Sequence, residues 1–139
     1  MSNERIVTAG IIRRDGSVLL ARRSPAERHA GFWEFPGGKL EDGESPEECL
    51  ERELNEELGI VTKIGQKCSE SSHQYDHGSI CIVAYFVDCV RGDLRPKVHD
   101  RLEWVKIDDI TRYKLLPADI PIVASLQKLE ELGHSELLH

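Results

Sequence analysis

The sequence GKLEDGESPEECLERELNEELGI, residues 38–60, predicts a glycine-containing loop followed by one amphipathic helix. Ser45 and Glu48 have the spacing of a capping box, with a proline at the first helical position. Gly59 is a typical residue to end a helix. An apolar stripe comes from leucines at every fourth position: Leu50, Leu54 and Leu58. We therefore predict a helix over residues 46–58.

The predicted helix carries an unusual set of charges. Residues 44–58 contain seven glutamates and one basic residue, Arg52. Glu53, Glu56 and Glu57 fall in a sector roughly 100° wide, beside the leucine stripe. Two of these glutamates also lie in the last turn, where the helix dipole disfavours negative charge. A solvated acidic face is the ordinary interpretation. The alternative is a site for a hard divalent cation such as Mg²⁺, which would remove the repulsion.

Length and composition describe one globular domain. The 139 residues are 40% hydrophobic and 31% charged. No apolar run reaches membrane-spanning length and no signal-peptide pattern is present, so we expect a cytoplasmic protein without a membrane partner. The four cysteines lack paired spacing and are expected to be free thiols. We expect a monomer or a homodimer.

The charge distribution favours a small anionic partner. The formal net charge of −7 argues against binding a nucleic acid polymer. Residues 1–39 nevertheless contain seven Lys and Arg against four Asp and Glu. A basic segment that faces an acidic metal helix would suit a small polyanion bridged by metal, although solvated strand ends would explain the same charges.

The remaining elements predict an α/β fold. Strands are expected at 5–14 and 17–23, joined at Asp15-Gly16, with Arg14 opposite Ser17 and Thr8 opposite Arg23. Further strands are expected at 32–36, 60–74, 79–90 and 102–107, and the apolar run 80–87 should be buried on both faces. His73 and His77 are interpreted as surface turn residues. A second helix should follow residues 117–121 and end at Gly133, with 134–139 as a frayed tail.

Residues 38–60 match, at every specified position, the 23-residue signature of the Nudix hydrolases. The opening hairpin ending in Arg-Arg, the Glu-Phe-Pro-Gly-Gly segment at 34–38 and Pro-Ala-Asp-Ile-Pro at 117–121 resemble the MutT and CTP pyrophosphohydrolase subgroup. The resemblance implies an α/β/α sandwich with a mixed sheet between helices, over a single domain of residues 1–139.

The resemblance also implies a reaction and a metal. The expected reaction is Mg²⁺-dependent cleavage of a nucleoside 5′-triphosphate to a monophosphate and pyrophosphate, with Mn²⁺ as a possible substitute for Mg²⁺. The expected substrates are of the 8-oxo-dGTP, dGTP or CTP/dCTP type, in nucleotide-pool sanitation. Hydrolysis of a nucleoside diphosphate derivative is one alternative, and a non-catalytic nucleotide sensor is another. The implied metal ligands are the Gly37 carbonyl, Glu53, Glu56 and Glu57, with Arg52 orienting the carboxylates and Glu44 as a supporting acid.

Several residues have two interpretations from the sequence alone. Phe35 is either core or an aromatic wall for a base. Lys39 either reaches a phosphate or is solvated, while Arg23 is expected to contact phosphate or base. Asp119 either caps the last helix or accepts hydrogen bonds from a base. Related enzymes often supply one more carboxylate where this chain has Val98, so Asp100 or His99 takes that role or the acid is absent; we favour Asp100.

Overall fold

The computed structural model describes residues 4–75 and 78–133. His77 and the predicted frayed tail at 134–139 therefore lie outside the described residues. The elements occur in the order β1 (Arg5–Arg14), β2 (Ser17–Arg23), β3 (Trp33–Glu34), β4 (Gly37–Lys39), α1 (Pro46–Leu58), β5 (Val61–Tyr75), β6 (Gly78–Arg91), β7 (His99–Lys106), a 3₁₀ segment (Ile107–Arg112), a second 3₁₀ segment (Pro117–Asp119) and α2 (Ile120–Glu131). No helix in these two ranges is long and apolar enough to cross a membrane.

The strands form a mixed sheet with the order β3-β2-β1-β6-β5. Strands β1 and β6 are parallel and every other recorded pair is antiparallel. A parallel pair needs a crossover connection, and α1 lies within the connection between β1 and β6. Strand β4 also pairs with β1, and β7 pairs with β2. The predicted mixed sheet is confirmed.

The first hairpin is only partly as predicted. Arg14 pairs with Ser17 as expected. The pairing of Thr8 with Arg23 is wrong, because Thr8 pairs with Gly38 of β4 and Arg23 lies opposite His99 of β7. Two strands thus share one edge of β1, β4 along its first half and β2 at its end. This division places β4 next to β1, and with it the start of the segment 37–45 that leads to α1, which we call the glycine loop.

Strand β6 separates two apolar clusters, as its continuous apolar sequence predicted. Residues Ile82, Ala84 and Phe86 face the cluster that contains α2. The alternate residues Val83, Tyr85 and Val87 face the cluster that contains α1. Residues 82–87 are all buried, which is the expected result for a strand covered on both faces. The predicted arrangement of a sheet between helices is confirmed.

Helix α1 begins and ends where the sequence predicted. Glu48 N–H donates to Ser45 Oγ at 3.1 Å, and Ser45 N–H donates to Glu48 Oε1 at 2.9 Å, which completes the capping box. Gly59 ends the helix with φ 72°, and its N–H donates to the Asn55 carbonyl. The leucine stripe is fully buried. The edge of α1 beside this stripe presents Glu53 to β4, where a Cβ atom at Gly38 would meet its carboxylate.

Candidate active site

Two glycines allow the loop before α1 to approach its neighbours closely. A Cβ atom at Gly37 would overlap the Thr8 carbonyl, and a Cβ atom at Gly38 would overlap the Glu53 carboxylate. The Gly38 carbonyl accepts a hydrogen bond from Thr8 Oγ1 at 3.2 Å. The backbone of β4 thus lies directly against the acidic edge of α1. Any larger residue at Gly38 would displace Glu53.

Arg52 holds three glutamates in place. Its Nε and Nη2 donate to the two carboxylate oxygens of Glu44 at 2.7 and 3.0 Å. Its Nη1 lies 3.0 Å from Glu53 Oε1 and 3.2 Å from Glu56 Oε2. The Arg52 hydrogen bonds are the main reason that the pKa of Glu44 is lowered to about 2. Glu44 is therefore a permanent anion that fixes the guanidinium.

Glu57 is the least satisfied member of the carboxylate cluster formed by Glu53, Glu56 and Glu57. Its Oε2 atom is buried and has no hydrogen-bond partner among the described residues. Burial raises the pKa of Glu57 well above its usual value, and the charges of Glu53 and Glu34 raise it further. A buried carboxylate oxygen beside other acids fits a divalent cation, which would supply the missing partner.

The cluster is not a complete coordination shell by itself. Among residues 4–75 and 78–133, no three His, Cys, Asp or Glu side chains are close enough together to hold a metal ion. Mg²⁺ is commonly held by one or two carboxylates together with waters and substrate phosphates. Glu53 and Glu56, which both accept hydrogen bonds from Arg52, and Glu57 are carboxylates that could contribute to such a partial set of ligands. The donor set therefore fits a metal that is bound jointly with a phosphorylated ligand.

A cavity of about 210 Å³ lies on the α2 side of the sheet, next to the glycine loop. Its lining includes Thr8, Glu34, Phe35, Gly37 and Asp119, with apolar residues between them. Gly37 thus borders both the cavity and the loop beside the carboxylate cluster. A ligand seated in the cavity could extend an anionic group towards that cluster.

Asp119 does not cap α2. It occupies the residue before the helix, but its side chain makes no capping hydrogen bond. Its Oδ2 atom instead accepts a hydrogen bond from Phe35 N–H at 2.9 Å. The capping interpretation is therefore wrong, because the carboxylate binds the backbone N–H of a residue that lies between β3 and β4. Asp119 is only 6% exposed, and burial raises its pKa to about 7.

Asp119 Oδ1 is the polar atom of this residue that remains for a ligand. No described residue donates a hydrogen bond to it. Phe35 is 3% exposed and belongs to the apolar cluster of α2, so its core interpretation is confirmed. The same side chain also lines the cavity. Phe35 and Asp119 consequently offer an aromatic surface and an acceptor at one place.

The other predicted substrate residues lie outside the lining of this cavity. Each nitrogen of the Arg23 guanidinium has a partner: Glu34 at 3.0 Å, Glu27 at 3.8 Å and the Arg28 carbonyl. Lys39 has an exposed side chain, and its carbonyl accepts from Arg52 at 3.2 Å. Arg23 therefore holds the segment that follows β2. The recorded hydrogen bond of Lys39 involves its backbone carbonyl and not its side chain.

Asp100 forms a bidentate ion pair with Arg22, at 2.7 and 3.1 Å. The side chains of Asp100 and Arg22 are about one-third exposed, at 30% and 34%. The hydrogen bonds from Arg22 are the main reason that the pKa of Asp100 is lowered. The structure therefore places the predicted extra carboxylate in an ion pair on β2 and β7.

Sequence reasoning missed Glu34 and the burial of His99, and it misjudged one histidine, His73. His99 is 6% exposed and its Nε2 lies 2.8 Å from Glu34 Oε2. His73 belongs to β5, where it pairs with Ile80, and it lines the cavity, so its assignment as a surface turn residue is wrong. Its position opposite an apolar strand residue was the available signal. His29 also lines the cavity, from the segment after β2.

Residues 4–126 match the profile of the NUDIX domain. The chain belongs to the Nudix family. The match includes the glycine loop, α1 and the cavity residues, so the Nudix signature and the observed site coincide in one region. The Glu53 side chain is 16% exposed and the Glu57 Oε2 atom is buried, so these two glutamates do not lie on an ordinary solvated face.

Characterised Nudix relatives are similar over most of the chain. The CTP pyrophosphohydrolase of Escherichia coli K12 is 39% identical over 123 residues, which cover 88% of this chain and 91% of the relative. The 8-oxo-dGTP diphosphatase of the same organism is 31% identical over 124 residues, which cover 88% and 96%. The solution structure of the Escherichia coli ORF135 protein has a TM-score of 0.85 at 38% identity, covering 93% of this chain and 92% of that one.

Proposed function

We propose that this Nudix domain is a Mg²⁺-dependent nucleoside 5′-triphosphate pyrophosphohydrolase acting in nucleotide-pool sanitation. The observation that carries the proposal is the buried, unpartnered Glu57 oxygen beside Glu53, next to a cavity that Gly37 also borders. The names of the relatives, CTP pyrophosphohydrolase and 8-oxo-dGTP diphosphatase, support the same reaction class. Nudix hydrolases generally use a divalent metal ion, and we propose Mg²⁺, with Mn²⁺ as a substitute.

The proposed metal ligands are the carboxylates of Glu53, Glu56 and Glu57 and the carbonyl of Gly37. A bound divalent metal supplies charge neutralisation for the polyphosphate and a lowered pKa for a coordinated water. Arg52 and Glu44 keep Glu53 and Glu56 at fixed positions through the ion pairs described above. Such positioning matters because phosphoryl-transfer catalysis depends mostly on geometry and electrostatics.

The proposed base site combines Phe35 and Asp119. Phe35 provides an apolar surface, and Asp119, once ionised above its pKa of about 7, only accepts hydrogen bonds. This acceptor suits the exocyclic amine of cytosine or the N1–H and amine of guanine, including 8-oxoguanine. Uracil and thymine present mainly acceptors and should be disfavoured. Lys39, at the start of the loop, and Arg23 are proposed to favour the triphosphate through their positive charge.

The deciding experiment is a substrate panel with the purified protein and Mg²⁺. We expect pyrophosphate release and kcat/KM values that are higher for CTP, 5-methyl-dCTP, dGTP or 8-oxo-dGTP than for UTP. Asp119→Asn should reduce this preference, because the amide both donates and accepts. An unchanged substrate ranking in Asp119→Asn would remove Asp119 from base selection.

The same panel separates the alternatives. Phosphate-monoester products from a dinucleotide or nucleotide sugar, without pyrophosphate release from triphosphates, would identify a diphosphate-derivative hydrolase. Binding without turnover of any nucleotide would identify a sensor. We further propose that residues 1–139 act as one domain on small nucleotides in the cytoplasm, where the four free cysteines would stay reduced. Light scattering after size-exclusion chromatography distinguishes a monomer from a homodimer, the two states that we expect.

A further inference from the structure

Cys49 is a thiol on the acidic edge of α1 that the proposed mechanism does not use. Residues three and four positions apart are neighbours on the surface of a helix, so Cys49 lies next to Arg52 and Glu53. The Cys49 side chain is fully buried. Its Sγ atom lies 4.0 Å from Arg52 Nη2, and the Nη1 atom of the same guanidinium donates to Glu53. The thiol therefore lies directly beneath the carboxylate cluster.

The Gly38 carbonyl brings this thiol together with Thr8 of β1. Thr8 Oγ1 donates to the carbonyl at 3.2 Å, and the Cys49 thiol donates to the same oxygen at 3.6 Å. The Thr8 Oγ1 and Cys49 Sγ atoms are 3.5 Å apart, so the three groups form a closed triangle. A carbonyl oxygen has two lone pairs and can accept from both donors. We call Thr8, Cys49 and the Gly38 carbonyl the loop anchor.

The loop anchor determines how closely β4 approaches Glu53. A Cβ atom on Gly38 would overlap all three atoms of the Glu53 carboxylate, so the Gly38 backbone lies directly against this carboxylate. Arg52 adds a second restraint, because its Nη2 donates to the Lys39 carbonyl at 3.2 Å. Side chains thus hold two successive carbonyls of β4. A shift of Gly38 would give the Glu53 carboxylate room to move.

The two side-chain hydrogen bonds of the loop anchor are additional to the pairing of the strands. The backbone register of β1 and β4 already joins Thr8 to Gly38. A buried hydroxyl elsewhere in the fold is not treated in this way, since Thr62 Oγ1 has no partner among the described residues. The convergence of two buried donors on one carbonyl is therefore specific to the segment that lies against Glu53.

We propose that Thr8 and Cys49 are positioning residues of the metal centre, which act through the Gly38 carbonyl to hold the glycine loop against Glu53. This inference rests on the proposed function, in which Glu53 and the adjacent Gly37 carbonyl are metal ligands. Hydrogen-bonded partners orient metal ligands, and the loss of such a partner commonly weakens metal binding about 10- to 100-fold.

The test measures the affinity for Mn²⁺ alone, by electron paramagnetic resonance. Thr8 also lines the cavity, so a measurement without nucleotide separates the metal centre from the base pocket. Thr8→Val and Cys49→Ala each remove one donor and are each expected to weaken Mn²⁺ binding by about tenfold. Thr62→Val and Cys68→Ala are the matched controls, because Thr62 is also buried and Cys68 packs against the apolar cluster of α2. Both controls should bind Mn²⁺ as the wild type does.

Two conservative variants separate positioning from packing. Thr8→Ser and Cys49→Ser retain a hydroxyl that can donate, whereas Thr8→Val and Cys49→Ala do not. We expect each serine variant to bind Mn²⁺ more tightly than the donor-free variant at the same position. Thermal melting of every variant measures stability separately. Equal Mn²⁺ affinities for the serine variant and the donor-free variant at both positions would overturn the positioning role.

The outcomes distinguish this inference from the proposed function. The Mg²⁺ concentration for half-maximal pyrophosphate release should rise in Thr8→Val and Cys49→Ala by a factor similar to the loss of Mn²⁺ affinity. If the wild type neither binds Mn²⁺ nor releases pyrophosphate, the proposed function itself fails. If the wild type does either, and both donor-free variants match Thr62→Val and Cys68→Ala in Mn²⁺ affinity and in the Mg²⁺ requirement, only the positioning role is overturned.

Discussion

Replacing Asp119 by Asn should change how the stability of the protein depends on pH. Asp119 is buried, and its pKa is raised from an ordinary 3.8 to about 7, chiefly by burial. The charge of Glu34 adds to this rise, while the Phe35 N–H and Arg23 oppose it. Asn has nearly the same shape and its carbonyl oxygen can still accept from Phe35 N–H. The substitution therefore removes the titration with little change in packing.

Whether Asp119 raises or lowers the stability as the pH rises depends on which state, folded or unfolded, binds its proton more tightly. Above about pH 4 the unfolded chain loses the Asp119 proton, but the folded protein keeps it until about pH 7. Folding thus takes up a proton between these values, and the contribution of Asp119 to stability falls as the pH rises. A difference of about three pH units corresponds to an upper limit of roughly 4 kcal/mol at pH 8. Asp119→Asn should gain stability relative to the wild type by up to this amount between pH 4 and pH 8.

Equilibrium urea denaturation at pH 5, 6, 7 and 8, with a chelator present, measures the effect. The difference in unfolding free energy between variant and wild type cancels the titration of all other groups. Asp42→Asn, at an exposed position in the loop before α1, is the matched control for the loss of one carboxylate. A constant offset between Asp119→Asn and the wild type at all four pH values would refute the reasoning.

Further predictions concern the carboxylates, the arginines and the glycine loop. Glu56→Gln should abolish most Mg²⁺-dependent pyrophosphate release without lowering the melting temperature, and millimolar Mg²⁺ should raise the melting temperature of the wild type; activity retained at saturating Mg²⁺ would exclude Glu56 as a ligand. Arg23→Ala should lower kcat/KM for a triphosphate more than Arg22→Ala does, whereas equal losses in steady-state assays would indicate a general charge effect. Thr8→Val should cost about 1 kcal/mol in urea denaturation because Gly38 loses a hydrogen bond. Thr62→Val is its control, since the buried Thr62 hydroxyl has no partner among the described residues, and a cost equal to that of Thr8→Val would contradict this account.

The elements that the sequence predicted correctly depend on local signals. Helix α1 has its bounds set by Ser45, Glu48 and Gly59, all within one short segment. The burial of β6 followed from its own continuous apolar run. In both cases, the residues that determine the structure are neighbours in the sequence, so propensity and periodicity were sufficient.

The features that the sequence did not predict depend on distant partners. Thr8 pairs with Gly38 because β4 competes with β2 for the same edge of β1, and no local pattern ranks these two pairings. Asp119 has a good capping propensity, yet it binds the backbone of Phe35, 84 positions earlier. The pair of Glu34 and His99 spans 65 positions. Such contacts become apparent only when the strand order is known.

The alternation of side chains along β6 also constrains how this chain can vary. A one-residue insertion or deletion between Ile82 and Val87 would exchange every side chain between the two faces. Val83 and Tyr85 would then meet α2, and Ala84 and Phe86 would meet α1, so both apolar clusters would be repacked by a single event. Length changes should therefore be tolerated in the surface loops and rejected in this hexapeptide. In a library of single-codon insertions scored for soluble expression, we expect insertions in the surface loops to be recovered and insertions between Ile82 and Val87 to be lost.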